Sequence, residues 1–382
     1  MSIRVFSQRS WCGAVGLLSL VVLMGPLTFA QFKELGPFKS GEEPLGIVAA
    51  DFSNRGILDV AVVNGISRNV AILQGNGDGT FSQHFKSGTI GLTPLDVAAA
   101  DFNRDGFVDL ALGLDDVVVH FGNGDGTFQK ESLHSGDRTV PHHLVVADFN
   151  LDGNPDLATS SEGTGAVQVL LGTGQGTFQA QTVYRDLYTT RVMAADLNGD
   201  GYPDLAVSVF CNAQPNCPGG LVNIFLNRGD GSFGPPISYN VGTGAEGIGA
   251  GDFDGDGKVD LVVASVGLGG VGSLAVFHGN GDGTFRPLKN YTMIDPVCAV
   301  VVDDFDRDGT LDVIVTSPSL NRLDWFRGNG DGTFRGPVPL PTSGQPNDLA
   351  VGDYNGDGLP DLAVTLLSFN STEVFINTSV GH

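Results

Sequence analysis

Past residue 31, short apolar runs alternate with clusters of turn residues, and the alternation repeats. Residues 94 to 135 show one unit: PLDVAAAD, DLALGL, VVVHFGN and, after the glycine-rich turn GNGDGTF, the more polar FQKESLHSG. Each run is too short for a helix and long enough for a strand, and the Asn-Gly and Asp-Gly pairs between them favour hairpins. The pattern predicts four strands per unit in an antiparallel meander. The turn between the first two runs is an acidic nonapeptide, D-x-N/D-x-D-G-x-x-D, found intact at 101–109, 148–156, 196–204, 252–260, 304–312 and 353–361 and in damaged form at 51–59 (DFSNRGILD). The copies lie 47 to 56 residues apart, a period that marks a repeat architecture in which each unit stacks on copies of itself.

Seven such sheets arranged radially form an all-β, seven-bladed β-propeller, which buries the faces between blades and leaves only short edges. The strand before each acidic loop is rich in Ala, Val and Gly (VAAADF, LVVADF, VMAADL, IGAGDF), as the crowded innermost strand should be. The last unit stops at His382 without a glycine-rich turn or a fourth strand, whereas Phe32 to Ser40 (FKELGPFKS) resembles the fourth strand of the first unit, FSQHFKS. The N-terminal segment is therefore expected to complete the last blade and close the ring; an open solenoid is the alternative and would need capping units.

Composition sets the frame around this array. Residues 1–30 carry Arg4 and Arg9, an apolar run from Ala14 to Leu27 and small residues at Thr28 and Ala30 before Gln31, which read as a secretory signal peptide, with a retained anchor as the alternative. Cys12 precedes the apolar run, the wrong place for a lipidated cysteine, so release to an extracellular or periplasmic space is expected. Residues 31–382 are then one propeller domain, expected to be monomeric, with 56 Gly and 19 Pro beside 41% hydrophobic residues. The formal charge of −23 is concentrated in the loops: the intact nonapeptides hold 20 of the 43 acidic residues, and the 20 Lys and Arg form no basic stripe, which argues against nucleic acid and anionic membrane as partners. Cys211 and Cys217 flank a polar insertion and are expected to pair as a local disulfide, free thiols or a metal pair being the alternatives; Cys298, in an apolar strand, reads as a buried small side chain.

The loops carry candidate chemistry. Hard cations such as Ca²⁺ take six to eight oxygens on a flexible loop, and here carboxylate or amide oxygens fall at positions 1, 3, 5 and 9, with a backbone carbonyl at position 7 and Gly at position 6 for the bend. The expected ligands are Asp101, Asn103, Asp105, Phe107 and Asp109; Asp148, Asn150, Asp152, Asn154 and Asp156; Asp196, Asn198, Asp200, Tyr202 and Asp204; Asp252, Asp254, Asp256, Lys258 and Asp260; Asp304, Asp306, Asp308, Thr310 and Asp312; and Asp353, Asn355, Asp357, Leu359 and Asp361. An EF-hand would need Glu at position 12 and flanking helices, but that position is Leu112, Thr159, Val207, Val263, Val315 or Val364. Two carboxylates about 5 Å apart repel by roughly 3 kcal/mol at an effective dielectric of about 20, so three held together carry about 10 kcal/mol unless a cation neutralises them. Six sites with dissociation constants of about 0.1 mM at about 1 mM calcium contribute on the order of 8 kcal/mol. Calcium is thus expected as structural glue at about six sites. In the damaged copy Ser53 and Arg55 replace two ligands, and the arginine either pairs with Asp51 and Asp59 in place of an ion or points into solvent. The GNGDGTF turns are followed by strands and read as hairpins rather than phosphate loops.

With its acidic loops and GDGTF turns, the chain resembles the FG-GAP and VCBS repeat family over essentially all of residues 31–382, and through it the seven-bladed propeller at the head of integrin α chains. The resemblance implies Ca²⁺ in loops joining the first and second strands on one face, ligands on the opposite face, and extracellular binding or cell adhesion. On that opposite face, the positions five and six residues before each acidic loop open the innermost strands and include Gly46, Asp96, His142, His143, Arg191, Glu246, Asn347 and Asp348. This polar mouth is the candidate site for an extracellular glycan or protein; a merely solvated rim is the alternative. A His-His pair near Asp would also suit a polysaccharide lyase or hydrolase, although no nucleophile motif accompanies it, so a binding module is the expectation and a carbohydrate-active enzyme the alternative.

Overall fold

The computed structural model describes residues 32–86, 92–129, 132–134, 140–161, 164–185, 188–210, 219–242, 244–267 and 271–379. The signal segment 1–30 and the pair Cys211 and Cys217 lie outside the described residues. Seven four-stranded antiparallel sheets stand in a ring as the blades of a β-propeller. Six blades run outward in chain order, from the inner strand Pro44–Ala50 of blade 1 to the outer strand Phe334–Pro341 of blade 6. Blade 7 takes Pro346–Gly352, Asp361–Leu366 and Ser371–Asn377 from the C-terminal end and its outer strand, Phe32–Lys39, from the N-terminal end. That outer strand runs antiparallel to the third, from Phe32 opposite Asn377 to Lys39 opposite Ser371, so the ring closes by the swap expected from the sequence.

The second strands, such as Asp59–Asn64 and Asp260–Ser265, are buried on both faces, which is why they read as continuous apolar runs. The core is divided among seven hydrophobic clusters, one at each blade–blade interface; that between blades 6 and 7 holds Phe305, Trp325, Leu362 and Phe375 with Phe32. No helix among the described residues is long and apolar enough to cross a membrane.

One expectation, the burial of Cys298, holds, but the side chain is not a simple apolar one. Cys298, only 5% exposed, is disulfide-bonded rather than a free apolar side chain. The apolar neighbours of Cys298 disguised a cross-link, since an isolated thiol and a half-cystine look alike in sequence.

Candidate metal loops and propeller mouth

In every blade the acidic nonapeptide joins the first and second strands. The turn needs left-handed backbone at position 6, always Gly, and also at position 4, where Arg104, Leu151 and Arg307 hold φ of 60°, 54° and 55°. The position-1 carboxylate caps the turn: Asp101 accepts the N–H groups of Asp105 at 3.0 Å and Gly106 at 2.8 Å. The position-9 carboxylate is fully buried and ties the loop to the glycine-rich turn, as where Asp109 accepts Phe102 N–H at 2.9 Å and Gly122 N–H at 2.8 Å. Asp59 in the damaged copy accepts Gly75 N–H in the same way and, one position further along the loop, Ser53 N–H, so this aspartate holds the hairpin whether or not the rest of the ligand set is present. Burial, the largest cause, raises Asp109, Asp156, Asp204 and Asp361 from 3.8 to about 6, and Asp312 to about 7.

The interior of each loop depends on position 3. Where it is Asn, the amide bridges to the position-5 carboxylate: Asn103 to Asp105 at 2.9 Å, Asn150 to Asp152 at 3.2 Å, Asn198 to Asp200 at 2.9 Å and Asn355 to Asp357 at 2.9 Å. Where it is Asp, a basic side chain from the end of the third strand leans in: His278 Nδ1 lies 2.8 Å from Asp254 Oδ2, and Arg327 Nε 3.8 Å from Asp306 Oδ2. In the damaged loop Arg55 itself turns inward. Its guanidinium meets Asp59 at 3.1 Å, Ser53 Oγ at 2.8 Å and the Gly75 carbonyl at 2.8 Å, while Asp51 receives the backbone N–H of Arg55 at 3.0 Å. A built-in cation occupies this loop.

Two of the remaining loops, in blades 5 and 6, gather enough carboxylate to hold a divalent cation. Ligand atoms of Asp252, Asp254 and Asp260, and of Asp304, Asp306 and Asp308, lie within 4.8 Å of one another. Asp306 is 7% exposed, and its Oδ1 is buried without a hydrogen-bond partner, the kind of orphaned acceptor that a bound cation satisfies. A cation there would draw the position 1, 3, 5 and 9 carboxylates together and cancel their repulsion.

The loops also staple neighbouring blades, a role the sequence reading missed. The aromatic at position 2 packs edge-on against the aromatic after the next blade's glycine-rich turn: Phe52 with Phe128 at 5.8 Å, Phe102 with Phe178 at 5.6 Å, Phe253 with Phe334 at 5.2 Å and Tyr354 with Phe81 at 5.5 Å. The next turn adds a backbone bond, as from Gly126 N–H to the Phe52 carbonyl at 2.9 Å. Phe32 supplies the missing aromatic for blade 7, 6.1 Å from Phe305 and 5.6 Å from Trp325. The signal was present as the recurring pair of aromatics, one in DF and one in GTF.

At the opposite end of the inner strands the two-residue window of candidates divides by strand parity. The positions five before each loop meet on the axis: Arg191 Nη2 reaches Asp348 Oδ1 at 2.9 Å, Arg191 Nη1 lies 3.2 Å from His143 Nε2, and that nitrogen is 3.8 Å from Asp96 Oδ2. Blades 2, 3, 4 and 7 thus share one polar cluster, and Gly46, Gly247 and Ala299 at the same position in the other blades leave room for it. A side chain at Gly46 would meet Asp96 Oδ1 at 2.6 Å. The positions six before divide: Asn347 donates to the Leu45 carbonyl of blade 1 at 2.8 Å and His142 is half-buried with its backbone N–H on the Ser160 carbonyl, whereas Glu246, 7% exposed, lies near enough to Arg191 for its charge to favour the protonated guanidinium. The cluster itself lines a cavity of about 390 Å³, together with Ile47, Val97, Val145, Val192 and Val300. Burial above all, then the charge of Asp348, raises Asp96 to about 7, while Arg191 opposes the shift. Burial and the adjacent Arg191 push His143 down to about 3, so its imidazole is neutral.

The FG-GAP-like repeat family matches residues 51–112, 148–207, 209–263, 252–315 and 304–364. Cartilage acidic protein 1 of Xenopus tropicalis is 31% identical over 140 residues, a stretch that covers 33% of this chain and only 20% of that protein. Among solved structures, BBS1N, crystallised in complex with ARL6DN and soaked with lead, superposes with a TM-score of 0.64 at 11% identity over 91% of this chain and 97% of the other. Hydrazine synthase of Kuenenia stuttgartiensis superposes at 0.63 and 12% identity over 89% and 97%, likenesses that concern the fold alone. With its repeats matched across more than half of its length, the chain belongs to the FG-GAP-like repeat family.

Proposed function

We propose that the protein is a secreted, calcium-stabilised propeller that acts as an extracellular binding module through the face opposite its acidic loops. One observation carries this reading. Of the nine large hydrophobic side chains exposed among the described residues, seven (Ile66, Leu92, Tyr188, Val271, Ile294, Leu320 and Phe369) sit in the connections on the mouth face. Their bias to this face, against Leu151 alone in the acidic loops, favours the mouth face as the interaction surface. They surround a centre where Asp96, Asp348 and Glu246 outnumber the single guanidinium of Arg191. That combination suits a protein ligand presenting a cationic side chain to the mouth better than a neutral glycan. Calcium in the loops of the far face would hold the blades in register without entering the binding surface.

The enzyme alternative draws on the Asp96 carboxyl near 7 beside Asp348 as an acid–base pair, but Arg191 ties up Asp348 directly, its charge opposes the rise of Asp96, and His143 is too weak a base to assist at neutral pH. The test is a binding screen against extracellular proteins and glycans with Ile294→Asp/Phe369→Asp and, as a control on the loop face, Leu151→Asp. Binding lost in the double variant and kept in the control supports the reading. Equal loss in both, or release of new reducing or unsaturated ends from acidic polysaccharides, overturns it.

A further inference from the structure

The six intact loops are not chemically equivalent. Five are walled at the end of the third strand by Phe121, Leu171, Leu226, Arg327 or Ile376, none of which offers a metal-binding atom, and the sixth, in blade 5, is walled by His278. His278 is 7% exposed and faces into the loop: Nδ1 is 2.8 Å from Asp254 Oδ2 and 3.5 Å from Asp260 Oδ1, and Nε2 is 3.6 Å from Asp256 Oδ2. Atoms of Asp254, Asp256 and His278 lie within 4.8 Å of one another, as do those of Asp252, Asp254 and Asp260.

Calcium takes oxygen ligands, and an imidazole in its first shell is a poor use of the site. Zinc and its neighbours accept imidazole and carboxylate together, at roughly 2.0–2.2 Å, which sets ligand atoms roughly 3.4 Å apart around a tetrahedral ion. The distances from Nδ1 to Asp254 and Asp260 bracket that spacing. Asp256, on the Nε2 side, is placed to orient the ring as the outer carboxylate of a carboxylate–histidine–metal triad, while Lys258 Nζ, 2.8 Å from Asp256 Oδ2, balances its charge from the solvent side. The blade 6 loop has the same extra carboxylate, Asp306, but meets it with the guanidinium of Arg327, which cannot ligate a metal.

We infer that the blade 5 loop is a mixed imidazole–carboxylate site for a borderline divalent transition ion of the zinc class, with His278, Asp254, Asp260 and Asp252 as ligands, distinct from the all-oxygen loops. The inference goes beyond the proposed function and does not depend on what the mouth face binds.

The probes are Zn²⁺, counted by elemental analysis after dialysis against millimolar calcium, and Co²⁺, followed by its visible absorption. Wild-type protein should keep one equivalent of zinc, and His278→Leu, which copies the leucine of blades 3 and 4, should bind it at least tenfold more weakly and lose the cobalt band. The transplant Asn198→Asp/Leu226→His, which gives blade 4 the blade 5 pattern, should raise zinc from one equivalent to two and keeps the test valid should the first variant fail to fold. Unchanged zinc in a folded His278→Leu, complete displacement of zinc by calcium from the wild type, or a transplant that gains nothing overturns the assignment. Calcium bound at the other loops is measured in the same samples, so failure of this site and failure of the calcium reading are distinguishable.

Discussion

The damaged loop of blade 1 offers a direct measure of what a cation is worth in this fold. Replacing Ser53 with Asn and Arg55 with Asp restores the intact pattern, DFNNDGILD, and exchanges a built-in cation for a binding site. The guanidinium lies 3.1 Å from fully buried Asp59 at its nearest atoms. Unit charges about 4 Å apart attract by about 4 kcal/mol at an effective dielectric of about 20. Because the Arg55 side chain is 37% exposed, solvent screens part of this, leaving about 2 kcal/mol. The new carboxylate adds like-charge repulsion of roughly 3 kcal/mol per pair at about 5 Å if the loop stays closed, so the chelated variant should lose about 2 to 5 kcal/mol. For a domain of this size that is a fall in melting temperature of about 3 to 7 °C. In about 1 mM calcium, a site with a dissociation constant of about 0.1 mM returns about 1.4 kcal/mol. Calorimetry with and without chelator, paired with calcium counting by equilibrium dialysis, reads both terms. The reasoning is refuted if the chelated variant melts with the wild type, or if calcium neither restores stability nor binds in one additional equivalent.

Chelation of the wild-type protein should lower its melting temperature by about 12 °C if each of six loops contributes on the order of 1.4 kcal/mol, and scanning calorimetry in chelator and in calcium measures it. Phe32→Ala removes the aromatic that docks the closing strand on Phe305 and Trp325; a loss of about 3 kcal/mol is expected by denaturant unfolding, with early proteolysis at the N-terminal strand. Asp96 is raised from 3.8 to about 7 among His143, Arg191, Asp348 and Glu246, so the folded state holds its proton more tightly than the unfolded chain. Its stabilising contribution is complete below about pH 4 and is lost as pH rises through about 7. Asp96→Asn should therefore melt a few degrees above the wild type at pH 8 and flatten the pH profile, and a variant that is less stable at pH 8 would contradict the cause assigned. Arg191→Met leaves Asp348 and Asp96 buried without their counter-charge and should cost about 3 kcal/mol at neutral pH, less in acid, as measured by chemical unfolding at both pH values.

The seven-fold count, the four strands of each blade, the borrowed N-terminal strand and the position of every acidic loop are written locally, in short apolar runs, glycines at left-handed positions and a motif that returns about every 50 residues. Most of these features depend only on neighbours within a few residues; the borrowed strand, whose Phe32 lies opposite Asn377, is legible because its sequence resembles the fourth strand of blade 1 and the last unit lacks one. The mouth does not work that way. Asp96, His143, Arg191 and Asp348 form one cluster because strand parity turns them, and not His142 or Asn347, toward an axis that exists only once the ring has closed, and Arg191 finds a partner 157 residues away. The same holds for the edge-on aromatic pairs, which cross from one blade to the next, for Arg55 turning into its own loop when solvent was open to it, and for His278, whose place in the blade 5 loop is set by the third strand bringing it alongside carboxylates of the first hairpin. Contacts between blades are decided by packing in three dimensions: a recurring motif such as the DF and GTF aromatics marks which residues take part but not which partner each one meets.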